Sequence, residues 1–131
     1  MIGKNLLERL AMNIWLNCIG FEKYLKLAET RNNGTNGVTY KFIFPNGYGA
    51  SVVKWIGDEV LDASVGGYDD KWELAVISKY AETDSRLSVF EYGENNYYID
   101  YETPITDDVI GYLTDEEVRA YLDQIYKLPK R

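Results

Sequence analysis

The sequence predicts an α+β domain: an N-terminal amphipathic helix, an antiparallel β-meander of about five strands, and two short C-terminal helices. Three observations predict it. An apolar seam recurs at alternating spacings of four and three from Leu7 to Ala28. Alternating, β-branched and aromatic runs separated by Gly-rich and Asn-Gly turns fill residues 38–102. The pattern Thr114-x-x-Glu117 then opens a last amphipathic stripe in the manner of a capping box.

The first helix is expected over 6–29, with Asn5 as cap and Glu8 as its reciprocating acid. Its seam consists of Leu7, Ala11, Ile14, Cys18, Phe21, Leu25 and Ala28, widened by Leu6, Leu10, Trp15, Ile19 and Tyr24. Such a stripe buries against its own sheet or pairs with a second copy as a homodimer. Gly20 is the weak point, costing about 1 kcal/mol relative to Ala in a helix interior. The run RNNGTNG at 31–37 reads as a loop and hinge between this helix (1–31) and an α+β core (38–128).

Val38 to Phe44 and Ala50 to Trp55 read as a hairpin about Pro45-Asn46-Gly47. Tyr48 is expected exposed on its turn, between Gly47 and Gly49. Residues 58–65 read as a short strand or an extended loop, and 66–70 as a turn. Trp72 to Ser78 is apolar on both faces after Glu73, as a central strand should be. After a polar turn at 81–85, Arg86 to Tyr92 and Tyr97 to Glu102 make a second hairpin about Gly93-Glu94-Asn95-Asn96. Thr106 is expected to cap a short helix from Asp107 to Leu113. The final helix starts at Asp115, turns Val118, Tyr121, Leu122, Ile125 and Tyr126 to one side, and stops at Pro129.

Much chemistry is excluded by composition. The chain of 131 residues has no histidine and one cysteine. Ser-His-Asp and Cys-His catalysis, imidazole zinc sites, multi-thiolate metal sites and disulfides therefore drop out. No phosphate-binding glycine loop is present. Paired acids at Asp69-Asp70, Asp107-Asp108 and Glu116-Glu117 lack calcium-loop spacing, and the last two pairs are read as acids at helix starts. The expectation is a protein with no enzymatic activity, cofactor or metal. With no uninterrupted apolar run it is also expected to be soluble and cytoplasmic, in a reducing compartment.

Charge is the most informative remaining feature. From Asp58 to Glu117 there are seventeen carboxylates against Lys71, Lys79 and Arg86, while the first fifty residues carry six cations against three acids. Such a surface repels nucleic acid and attracts basic proteins. Twelve of the nineteen aromatics are Tyr, a residue suited both to half-buried strands and to contact surfaces. The candidate partner-binding acids are Asp58, Glu59, Asp62, Asp69, Asp70, Glu91, Glu94, Asp100 and Glu102. The candidate aromatic anchors are Tyr48, Tyr68, Tyr92 and Tyr97, all at or beside expected turns.

The stretches FPNGYGASVV (44–53), WELAVIS (72–78) and TPITDDVIGYLT (103–114) resemble a family of small uncharacterised phage, prophage and mobile-element proteins of Gram-positive bacteria. The resemblance covers roughly 38–127 and carries no activity residue by residue. What it implies is a setting in which small acidic proteins inhibit host defence, CRISPR systems included. The expected function is thus a non-enzymatic, anti-CRISPR-like inhibitor that occupies the basic groove of a nucleic-acid-handling protein such as a CRISPR effector nuclease. No direct nucleic-acid or membrane binding is expected. The alternative is a dimeric assembly module built on the N-terminal seam.

Overall fold

A computed structural model describes residues 16–32, 36–55, 71–81 and 88–130, and among these lie seven antiparallel strands and one α-helix. The strands are β1 (Leu25–Asn32), β2 (Asn36–Ile43), β3 (Tyr48–Trp55), β4 (Trp72–Ser78), β5 (Phe90–Tyr92), β6 (Asn95–Ile99) and β7 (Ile110–Leu113), followed by α1 (Asp115–Tyr126). They run in the order β1-β2-β3-β4-β6-β5, with β7 also on β4, in a half-barrel. The far edge of β4 is shared. Its C-terminal end pairs with β6 through Ile77↔Ile99, and its N-terminal end with β7 through Trp72↔Leu113.

The two faces of the sheet follow from the two-residue period of a strand. Val38, Tyr40 and Phe42 stand across from Lys54, Val52 and Ala50, which in turn neighbour Leu74 and Val76. This face is the core. Val118, Leu122 and Ile125 of α1 close over it, and Trp72 is fully buried at its end with Tyr40 edge-on at 5.6 Å. The opposite face is mixed: Thr39, Lys41 and Ser51 share it with Ala75 and Ile77, and all five are buried.

Several expected elements hold. The 44–48 hairpin has Gly47 at φ +88°, the left-handed conformation that closes a type I turn between two strands. Gly93, at φ +63°, opens the tighter β5–β6 turn, so Asn95 and Asn96 belong to β6 rather than to the loop. The capping box is present in both directions: Thr114 Oγ1 accepts from Glu117 N, and Glu117 Oε1 accepts from Thr114 N.

The expected N-terminal helix is not there in the residues described. From Leu16 the chain is irregular, turns at Gly20 with φ +91°, makes one 3-10 turn at Glu22–Tyr24, and enters β1. Pairing decides this. Residues 25–32 gain a ladder with β2 from Leu25↔Phe42 to Asn32↔Asn36, broken by one bulge, whereas a helix would have had to carry Gly20 in its interior. The spacing of Cys18, Phe21 and Leu25 still reports burial, since all three pack half-buried against the protein's own core, while Ala28 is exposed. Leu7, Ala11 and Ile14 lie outside the described residues. Of the expected hinge at 31–37, Arg31 pairs with Gly37 and Asn32 with Asn36 at the end of the β1–β2 ladder, and residues 33–35 lie outside the described residues.

The expected helix Asp107–Leu113 is also absent. Thr106 Oγ1 accepts from Asp108 N at 3.0 Å, but it makes a local turn and no helix follows. Ile110–Leu113 becomes β7 because the edge of β4 at Trp72 and Leu74 offers it backbone partners, and Gly111 with β-branched Val109 and Ile110 favours no helix. Among the described residues there are therefore seven strands and one C-terminal helix, where the sequence predicts about five strands and two short C-terminal helices.

Candidate functional site

One loop carries three exposed acids, Glu102, Asp107 and Asp108, beside the exposed Tyr101. Residues 101–109 leave the sheet and return to it at nearly the same place. Asp100 N donates to Val76 O at 2.8 Å, and Ile110 pairs with Leu74. The two anchor points are two β4 residues apart, about 7 Å along a strand. A nine-residue excursion with ends that close is an Ω-type loop, here with Ile105 packed half-buried against the core. Thr103 is buried in it, and its Oγ1 has no hydrogen-bond partner among the described residues. Tyr101, Glu102, Asp107, Asp108 and Val109 are exposed on the outside.

The loop runs into a bulge. Trp72↔Leu113 and Leu74↔Ile110 leave Gly111 and Tyr112 facing the single residue Glu73. Tyr112 takes up the irregularity at φ +60°, a conformation that L-residues with bulky side chains rarely adopt. It is 82% exposed, so no packing of its ring repays the strain. Strain held at an exposed aromatic marks a contact residue better than exposure alone.

From Tyr101 to Glu117 there are six acids and no cation. Two are engaged within the fold. Asp115 accepts from Trp72 Nε1 at 2.8 Å and from Asn17 N at 3.1 Å, so it ties the 16–20 segment to the core. Glu117 belongs to the capping box, and its hydrogen bond with the Thr114 backbone holds its carboxyl below the usual range. Glu102, Asp107, Asp108 and Glu116 are exposed and form no ion pair with any described residue. Asp107 and Asp108 do not serve a helix start, which is the role their sequence context suggests.

Other expected site residues are scattered. Asp58, Glu59, Asp62, Tyr68, Asp69 and Asp70 lie outside the described residues. Glu91 and Glu94 are exposed at the β5–β6 hairpin, and Tyr92 is 44% exposed there beneath Lys26 Nζ at 5.3 Å from its ring. Three are interior. Tyr48 is the first residue of β3, packed edge-on to Tyr80 at 5.5 Å. Tyr97 faces inward from β6, and burial raises its phenol pKa. Asp100 is buried, accepting from Ser78 Oγ at 2.7 Å and from Glu102 N at 2.9 Å. Turn proximity did not expose them, because both hairpins fold back onto the sheet.

The two edge strands, β1 and β5, approach each other across the mixed face. Between them lies a cleft of about 440 Å³, with Thr39, Lys41 and Ser51 as floor, Leu27 and Phe90 as walls and Glu29 at the lip. Lys41 Nζ donates to Thr39 Oγ1 at 2.7 Å and to Ser51 Oγ at 2.9 Å. Among the described residues no group of three acids or thiols could hold a metal ion, and no helix is long and apolar enough to cross a membrane. Comparison of the chain with protein-family models, curated proteins and solved structures finds no match.

Proposed function

We propose that this protein is a non-enzymatic binding protein whose acidic, aromatic loop engages the basic groove of a nucleic-acid-handling protein. Within that class, a host defence nuclease such as a CRISPR effector is the partner proposed. The observation that carries the reading is the 101–112 segment: a pinned loop with four exposed carboxylates around it that form no ion pair with a described residue, and a strained, outward Tyr112. The resemblance to phage and mobile-element proteins spans the same segment, at 103–114, and supplies the setting.

In mechanism, carboxylates steer the encounter and the aromatic ring supplies the desolvated anchor. A groove built for phosphate offers Lys and Arg donors, which carboxylates spaced along a loop can accept from. Charge then sets the rate of association, while Tyr112 sets the residence time.

The test is capture from a host lysate on immobilised protein, with single-stranded and duplex DNA as competitors. Retention of a basic protein that weakens from 50 to 300 mM salt (about tenfold or more, by counter-charge screening) and is displaced by nucleic acid supports the reading. Tyr112→Ala and the pair Asp107→Asn with Asp108→Asn should each abolish it. A partner retained equally by both variants, or indifferent to nucleic acid, refutes the proposed surface.

A further inference from the structure

We propose that the cleft between β1 and β5 is a binding site for a small carboxylate, seated on the hydroxyls of Thr39 and Ser51 with the Lys41 ammonium behind them. This inference is independent of the loop reading and concerns the opposite face of β2 and β3 from the core.

The arrangement is specific. Lys41 and Ser51 are direct cross-strand partners, and Thr39 is the next residue on the same face of β2. All three are more than nine-tenths buried. An ammonium taken out of water loses several kcal/mol of hydration unless polar groups replace it. Here it donates to both hydroxyl oxygens. A hydroxyl that accepts in this way still has its own proton to donate. Neither Thr39 nor Ser51 donates to an acceptor among the described residues, and both line the cleft. The floor therefore presents two O–H donors polarised by a cation, which is a cradle for an oxyanion.

The lip narrows the class. Glu29 stands directly across from Thr39 in the β1–β2 register and lines the same cleft. Its charge disfavours a second negative charge at the mouth, so a carboxylate fits better than a phosphate dianion. Leu27 and Phe90 offer apolar walls for the remainder of such a molecule.

The test is an amide NMR titration of the full chain with sodium acetate and with inorganic phosphate, each against sodium chloride of equal ionic strength. Saturable shifts at residues 39, 41 and 51 are expected with acetate, at severalfold lower concentration than with phosphate. Thr39→Val and Ser51→Ala should each weaken acetate about tenfold, since each removes a hydrogen bond to a charged group. Glu29→Gln should narrow the gap between the two anions, and it alters only an exposed side chain, so it reads out even if a floor variant is unstable. Shifts no different from those with chloride, or affinities unchanged in both hydroxyl variants, would overturn the proposal. Asp107→Asn should leave the titration untouched, which separates this site from the loop.

Discussion

Asn46 does more for the fold than any turn residue needs to. Its Nδ2 donates to the carbonyls of Ile125, Tyr126 and Leu128 at 2.8, 3.1 and 2.9 Å, while Oδ1 accepts from Tyr48 N. One amide thus satisfies the orphan carbonyls at the end of α1 and holds the hairpin tip against it. Asn46→Ala would remove all four of these hydrogen bonds, leaving Ile125 O only its bond from the end of the helix, and we expect a loss of about 2–4 kcal/mol in urea denaturation. Gly47 beside it sits at φ +88°, and a Cβ there would run into the Tyr80 ring, so Gly47→Ala should also destabilise. The sequence marks both as turn residues and no more, because the carbonyls Asn46 serves are 79 to 82 positions away. Tyr112 is the opposite case. Nothing in the pattern Val109-Ile110-Gly111-Tyr112 announces a left-handed residue, which arises from the mismatch between β7 and β4. Tyr112→Gly should leave stability unchanged or raise it by up to about 1 kcal/mol, as left-handed strain is relieved against added chain entropy. The same substitution should abolish partner capture. A clear loss of stability would place Tyr112 in the fold instead of on the contact surface.

At the scale of elements, legibility tracks how local the deciding signal is. Helix α1 was readable because its cap, its stripe and its stop at Pro129 lie within sixteen residues of one another. The capping box also makes it sensitive to acid. Glu117 has a depressed pKa in the folded state, chiefly through its bond to the Thr114 backbone. Its contribution is therefore present above the unfolded value near 4.5 and is lost as pH falls through the lower folded value. Glu117→Gln should flatten stability against pH below about 4.5, and Thr114→Ala should cost about 1 kcal/mol at neutral pH. If helicity followed by far-UV circular dichroism fell equally in wild type and Glu117→Gln on acidification, the cap would not be the acid-sensitive element. Strands β1 and β7 were not readable. A four-three apolar spacing describes a helix face, yet it also results when a turn, a 3-10 segment and an edge strand each send one side chain to the same core. Which of these the chain adopts depends on an open strand edge, supplied by β2 in one case and β4 in the other.

For the whole molecule, the sheet's curl matters more than its strand count. It gives β4 buried side chains on both faces and puts Tyr97 and Asp100 inside, although the charge pattern alone assigns them to the surface. It also exposes the 101–109 excursion, so the acidic signal is real in the sequence but misplaced by the local reading of Asp107 and Asp108 as helix-start acids. The curl has a further consequence at the N-terminal end of the described chain. Leu16 N donates to the Tyr40 hydroxyl at 2.9 Å, and Cys18 packs beside it, half-buried. Burial pushes the Cys18 thiol from 9.0 to about 11, with Glu22 and Asp115 adding to the effect. Burial likewise pushes Tyr40 from 10.0 to about 12. Both groups stay neutral in the folded state at pH values where the unfolded chain ionises. Their stabilising effect is complete below pH 9 and is lost as pH rises through 11 and 12. Urea midpoints should thus hold steady from pH 7 to about 9 and fall steeply above it. Cys18→Ala should remove the earlier part of that fall, and Tyr40→Phe the later part. The same burial should make the native thiol react with a disulfide reagent at pH 8 more slowly than a free cysteine, because thiolate is the reacting form, and unfolding in urea should restore the free rate. A native thiol reacting at the free rate would mean that the 16–21 segment does not close over the core in solution, and the alkaline loss of stability should then disappear with it.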